Sequence, residues 1–172
     1  LARFDQNYNR KSANGKLDDF AELYAGDDYV DQVTVSSYNR CGTSPSHTKA
    51  HSFAEEFRPA YKKLSTITSK PIGVAETATT NNCGVSRIQW YKEMLDAIKN
   101  EFVRVEHVTF FFERIPPGFA SNTHEINWQL SKKERPEFAA LIEEFRAGGL
   151  AKQHGGATTM GTITKAPKAA TK

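Results

Sequence analysis

No stretch of the chain approaches the roughly 20 consecutive apolar residues that a membrane-crossing helix requires, so no membrane span is expected. No glycine-rich phosphate cradle is present, and Ser36 and Ser37 lack the G-x-S-x-G pattern of a nucleophile elbow. His47, His51, His107, His124 and His154 are scattered, with none paired at metal-ligand spacing. Cysteine is scarce. Cys41 and Cys83 form neither a CxxC pair nor a ligand pattern, so neither a metal nor a cofactor is expected. Clustered positive charge is missing from the body: the net charge is +3, and Lys165, Lys168 and Lys172 at the end supply three lysines with no acid between them. A nucleic-acid groove needs clustered Lys and Arg, so no nucleic-acid partner is expected, and a near-neutral body suits a neutral substrate. The chain opens on Leu1 and shows no signal-peptide pattern, which reads as a processed or partial chain.

What is present suits one soluble globular domain: 172 residues, 38% hydrophobic and 25% charged. Aromatic content is 11%, with eleven Phe, six Tyr and two Trp. Core packing accounts for most of the Phe. Tyr and Trp near loop ends also suit stacking on the apolar faces of sugar rings.

Alternating runs of strand and helix pattern follow one another. Residues 2–7 read as the end of a strand, 18–24 as one helical turn, and 30–39 as a strand rich in β-branched residues that ends in Tyr38-Asn39. Phe53, Phe57, Ala60, Tyr61 and Leu64 fall at helical spacing. Pro59 is awkward inside one helix, so a one-turn lead-in and a second segment starting at Pro59 are expected. Residues 71–76 form a compact apolar strand ended by Glu76, as in a parallel strand buried on both faces. Ser86 is a candidate N-cap for the clearest amphipathic helix, 86–102, carried by Ile88, Tyr91, Leu95, Ile98 and Phe102. A strand over 105–113, a long loop from Arg114 to Ser131 containing Trp128, and a helix over 134–146 stopped by Gly148-Gly149 complete the body. The fold class is therefore α/β, with parallel strands alternating with helices. Three or four βα units are too few to close an eight-stranded barrel, which leaves a small open sheet or the C-terminal half of a barrel. Residues 1–147 form this domain, and 148–172, rich in Gly, Ala, Thr and Lys, read as a tail or linker.

In such a sheet the strand ends share one edge, where α/β folds keep their chemistry. That edge gathers Tyr38, Asn39, Glu76, Phe111, Phe112 and Glu113. Glu76 suits a nucleophile or base, and Tyr38 suits a phenol that hydrogen-bonds a carboxylate. Glu113 is the weaker second acid, because its place in the sheet does not set it across a substrate.

The segments Tyr24-Ala-Gly-Asp-Asp-Tyr-Val-Asp31 and Val33-Thr-Val-Ser-Ser-Tyr38-Asn39 resemble the sixth strand, and its approach, of clan A glycoside hydrolases, most closely family 26, the β-mannanase family. Ser52 to Pro59 resembles the stretch before the family's sixth helix, and Lys70-Pro-Ile-Gly-Val-Ala-Glu76 its nucleophile-bearing seventh strand. Ile88-Gln-Trp90 resembles the seventh helix, and Val108-Thr-Phe-Phe-Phe112 the eighth strand. The resemblance covers about residues 22–146. It implies the C-terminal part of a (β/α)8 TIM barrel, strands about five to eight. It also implies a retaining hydrolase of a β-linked polysaccharide, mannan-like or an exopolysaccharide. Glu76 is then the nucleophile, positioned by Tyr38, with Asn39, Phe111, Phe112 and Trp128 as substrate-binding residues. The family's acid/base glutamate precedes the matched region, so the partner implied is the N-terminal half of the barrel, in the same or another chain. A secreted protein is expected, and a Cys41–Cys83 disulfide would fit it; two free thiols are the alternative. A catalytically inactive carbohydrate-binding or structural module stays open beside the enzyme.

Overall fold

The computed structural model describes residues 3–6, 20–118 and 125–148. Of the tail expected over 148–172, Gly148 instead closes the last helix, and residues 149–172, together with His124 and His154, lie outside the described residues. Four strands, β1 (Arg3–Gln6), β2 (Gln32–Asn39), β3 (Ile72–Thr79) and β4 (Val105–Phe110), form one sheet in the order β1-β2-β3-β4, every pair parallel. The short α1 (Phe20–Leu23) precedes β2, α2 (Phe53–Ile67) links β2 to β3, and α3 (Arg87–Asn100) links β3 to β4. After β4, two two-residue strands, β5 (Arg114–Ile115) and β6 (Ile126–Asn127), pair antiparallel before α4 (Glu134–Gly148). Parallel strands alternating with helices are thus the architecture.

The helices share one face of the sheet. Val33, Val35, Ile72, Val74 and Val105 alternate toward it and pack with Phe53, Phe57 and Leu64 of α2, with Tyr91 and Met94 of α3, and with Phe138 and Leu141 of α4. The largest of these side chains are completely buried, and each contributes about 1.5–3 kcal/mol by leaving water. A second cluster of Tyr38, Ala78, Ile126 and Trp128, with Phe111 and Ile115 against it, sits apart from this core.

Several expectations change. Pro59 lies inside a single continuous helix α2 instead of starting a second one. Proline removes one N–H, and the carbonyl it strands is that of Glu55, four residues back on the exposed side of the helix, where it is open to solvent. The N-terminus of α2 is secured independently by a capping box in which Ser52 and Glu55 serve each other's backbone N–H. β4 ends at Phe110 rather than 113. The loop from Arg114 to Ser131 contains β5 and β6. Ser86 caps α3 as read from the sequence, its hydroxyl accepting from the Gln89 N–H.

The change with most consequence is in β3, which runs on through Thr79 instead of ending at Glu76. Val35 pairs with Val74, and Ser37 with Thr77, so Ser36 alone opposes both Ala75 and Glu76. On the other side Val74 pairs with Val108 and Thr77 with Phe110, so Thr109 alone opposes the same two residues. β3 therefore carries one extra residue relative to both neighbours, a β-bulge. Without it, strict alternation from Ile72 and Val74 would turn Glu76 into the helix-covered core. The extra residue flips the parity, so Thr77 becomes buried and Glu76 emerges exposed on the other face.

Candidate functional site

Tyr38 and Glu76 meet there. The Tyr38 hydroxyl donates to Glu76 Oε2 at 2.6 Å, bridging the C-terminal end of β2 and the middle of β3. Burial, and then the hydrogen bond to Glu76, push the Tyr38 phenol well above its ordinary value of 10.0. It therefore stays protonated at any working pH, and the carboxylate can only accept. The pair is asymmetric: Tyr38 is 8% exposed, whereas Glu76 faces solvent. One carboxylate oxygen is fixed by a rigid donor while the group remains reachable, an arrangement that suits a nucleophile or base.

Aromatic rings fix Tyr38 in turn. Trp128 lies 5.2 Å from its ring centroid and Phe111 6.0 Å away, edge-on. Such contacts add about 0.5–1.5 kcal/mol each beyond burial. The Trp128 backbone N–H donates to the Glu113 carbonyl, and β6 just before it pairs with β5, so the segment after β4 folds back over Tyr38.

The other residues singled out from the sequence separate into two groups. Phe111 and Trp128 join Tyr38. Phe112 does not: its ring packs on Tyr91, Phe110 and Phe138 on the helix side. Asn39 is completely buried, donating to Thr79 Oγ1 and accepting from the N–H groups of Cys41 and His51. It braces the loop after β2. Glu113 is exposed and takes part through its carbonyl.

Cys41 and Cys83 are joined by a disulfide that ties the loop after β2 to the loop after β3. Around it, Thr80 Oγ1 and Asn82 Nδ2 both donate to the Cys41 carbonyl. A Cβ on Gly42, whose φ is +76°, would meet Asn82 at 2.5 Å, so only glycine lets the two loops close this tightly.

Two residues at the site were not picked out by sequence reasoning. Arg87, 4% exposed, donates to the carbonyls of Thr79 and Asn127 and lies 3.5 Å from a Glu134 carboxylate oxygen, tying the end of β3 to β6 and α4. Its signal was a charge in register with the buried Trp90, Tyr91 and Met94 on the apolar face of α3. Arg40, directly after the Tyr38-Asn39 strand end, holds its guanidinium carbon 5.2 Å from the Tyr38 ring centroid.

No family model matches the chain. Over 126 residues it is 29% identical to Endoglucanase H of Acetivibrio thermocellus, a match covering 73% of this chain and 13% of that protein. That similarity supports the glycoside-hydrolase resemblance of the sequence. Among solved structures, the chain is similar to the endo-beta-1,4-mannanase from Thermotoga petrophila, with a TM-score of 0.44 and 19% identity over 70% of this chain and 26% of the other.

Proposed function

We propose that this chain supplies the nucleophile part of a glycosidase site that cleaves a β-linked polysaccharide with retention of configuration. The observation that carries the reading is the Tyr38–Glu76 hydrogen bond, set by the bulge within β3 beside the C-terminal end of β2. A glutamate oxygen attacks the anomeric carbon as the glycosidic C–O bond breaks, and the leaving oxygen takes a proton from an acid outside the described residues. Water then cleaves the glycosyl ester, giving its proton to that same group. Tyr38 holds one Glu76 oxygen in line and leaves the other for attack. The strand order, with neighbours consecutive in sequence and all helices on one face, supports reading the sheet as the C-terminal part of a (β/α)8 barrel. The rest of such a barrel would come from the same or another chain. The disulfide supports a secreted protein, because such bonds persist in oxidising compartments.

The test is Glu76→Gly in the protein that contains this chain, assayed on soluble β-glucan and β-mannan with and without azide. Loss of hydrolysis, with azide restoring turnover and yielding an inverted glycosyl azide, is the expected outcome. Wild-type-like hydrolysis by the variant overturns the assignment of Glu76. A wild-type protein that binds these glycans without cleaving them instead supports a binding module.

A further inference from the structure

We infer that Arg40 is a substrate-binding residue that recognises a carboxylate carried by the glycan, so that the polysaccharide is acidic. This rests on the reading of Tyr38 and Glu76 as a glycan-cleaving site and names the substrate class for it.

Arg40 differs from its counterparts. The other six arginines whose side chains are described each donate to a carboxylate or a carbonyl. Among the described residues Arg40 has no such acceptor: its guanidinium lies against the Tyr38 ring, and its Nε is buried without a hydrogen-bond partner. Buried polar groups in folded proteins are almost always paired, so a guanidinium seated on the Tyr38 ring with no acceptor among the described residues stands out beside the candidate site. The position is rigid as well. The Arg40 carbonyl accepts from both the N–H and the hydroxyl of Thr43, and the neighbouring Asn39 and Cys41 are held by buried hydrogen bonds and the disulfide.

The ligand chemistry follows from desolvation. Arg40 is already partly buried, and a sugar seated against Tyr38 would strip water from the remainder of its guanidinium. A neutral hydroxyl leaves that charge uncompensated, whereas a carboxylate neutralises it and fits the planar donor fork in two parallel bonds. The exposed Glu76 would repel an acidic glycan, and a cation one ring away offsets that repulsion. The near-neutral body suits a neutral substrate only as an average over the surface; the charge beside the reacting group is positive.

The experiment pairs a glucuronic-acid-containing β-glycan with the same polymer after its carboxyl groups have been reduced to primary alcohols. Binding is measured by calorimetry with Glu76→Gln, and again with Arg40→Met or Arg40→Lys added, after confirming that each variant keeps its melting temperature. The expected result is at least tenfold tighter binding of the carboxylated polymer, weakening with salt, lost with Arg40→Met and partly kept with Arg40→Lys. Mild acid hydrolysis, which removes ketal-linked carboxylates and spares uronic acids, separates the two sources of the group in native polysaccharides. Equal affinity for both polymers, or no binding of the carboxylated one, overturns the assignment of Arg40. Hydrolysis of either polymer by Glu76→Gln overturns the nucleophile reading and leaves the binding comparison interpretable.

Discussion

Replacing Tyr38 with Phe removes one oxygen from the site and almost nothing else. The ring keeps its contacts with Trp128 and Phe111 and the guanidinium of Arg40 over its face. What disappears is the 2.6 Å hydrogen bond to Glu76. A hydrogen bond to a charged group contributes about 1.5–3 kcal/mol. If Tyr38 orients the attacking carboxylate, that loss falls on the transition state, and at about 1.4 kcal/mol per factor of ten it lowers kcat/KM by roughly 10- to 150-fold. Glu76 is exposed and water can replace the lost donor, so stability should change by no more than about 1 kcal/mol. The assay is reducing-sugar release from a soluble β-glycan alongside urea unfolding. A variant within twofold of the wild type in kcat/KM would refute the positioning argument. A variant that lost activity and stability in proportion would show that Tyr38 serves the fold instead.

Three further perturbations have defined outcomes. The disulfide closes a loop of 42 residues, and loop-closure entropy gives it about 4 kcal/mol; reduction, or Cys41→Ala with Cys83→Ser, should lower the urea-derived unfolding free energy by that order, and an unchanged midpoint would sink the estimate. A Cβ on Gly73 would sit 2.8 Å from Thr34 Cγ2, so Gly73→Ala should destabilise by about 1–3 kcal/mol and Thr34→Ser should restore part of the loss, as a double-mutant cycle would reveal. Burial pushes the Glu134 carboxyl up, but Ser131 and the Arg87 guanidinium outweigh it and hold the group below its ordinary 4.5. Because the folded-state value is depressed, its stabilisation is complete above about pH 4.5 and is lost as pH falls through the folded value. Unfolding free energy measured from pH 6 downward should therefore decline less steeply in Glu134→Gln than in the wild type.

Much of the fold was legible because local patterns carry it. The β-branched run before Asn39, the compact apolar residues from Ile72 and the three-four spacing from Ile88 to Phe102 each match one secondary-structure period, and strand–helix alternation leaves few options besides a parallel sheet. The helix through Pro59 was not legible, because tolerance of proline depends on whether the stranded carbonyl faces water. Neither was the β5–β6 pair, since two-residue strands have no period to read. At the site, Tyr38 and Glu76 could be named from their strands, and Phe111 could not be separated from Phe112 because adjacent residues differ only in the face they take. Arg87 left a trace, a charge on an apolar stripe; Arg40 left none, because its meaning lies in the ring it rests on and, among the described residues, in the lack of an acceptor for its guanidinium.

The sequence alone determined that this chain builds parallel βα units and which carboxylate stands near a strand end. Tertiary structure alone decided which way that carboxylate points. By simple alternation Glu76 belongs with Ile72 and Val74 in the core, where a lone charge would be costly to desolvate. The bulge, visible only when β3 is set against β2 and β4 together, supplies the extra residue that turns Glu76 out to meet Tyr38. Register is a relation between strands, and no single strand's sequence contains it.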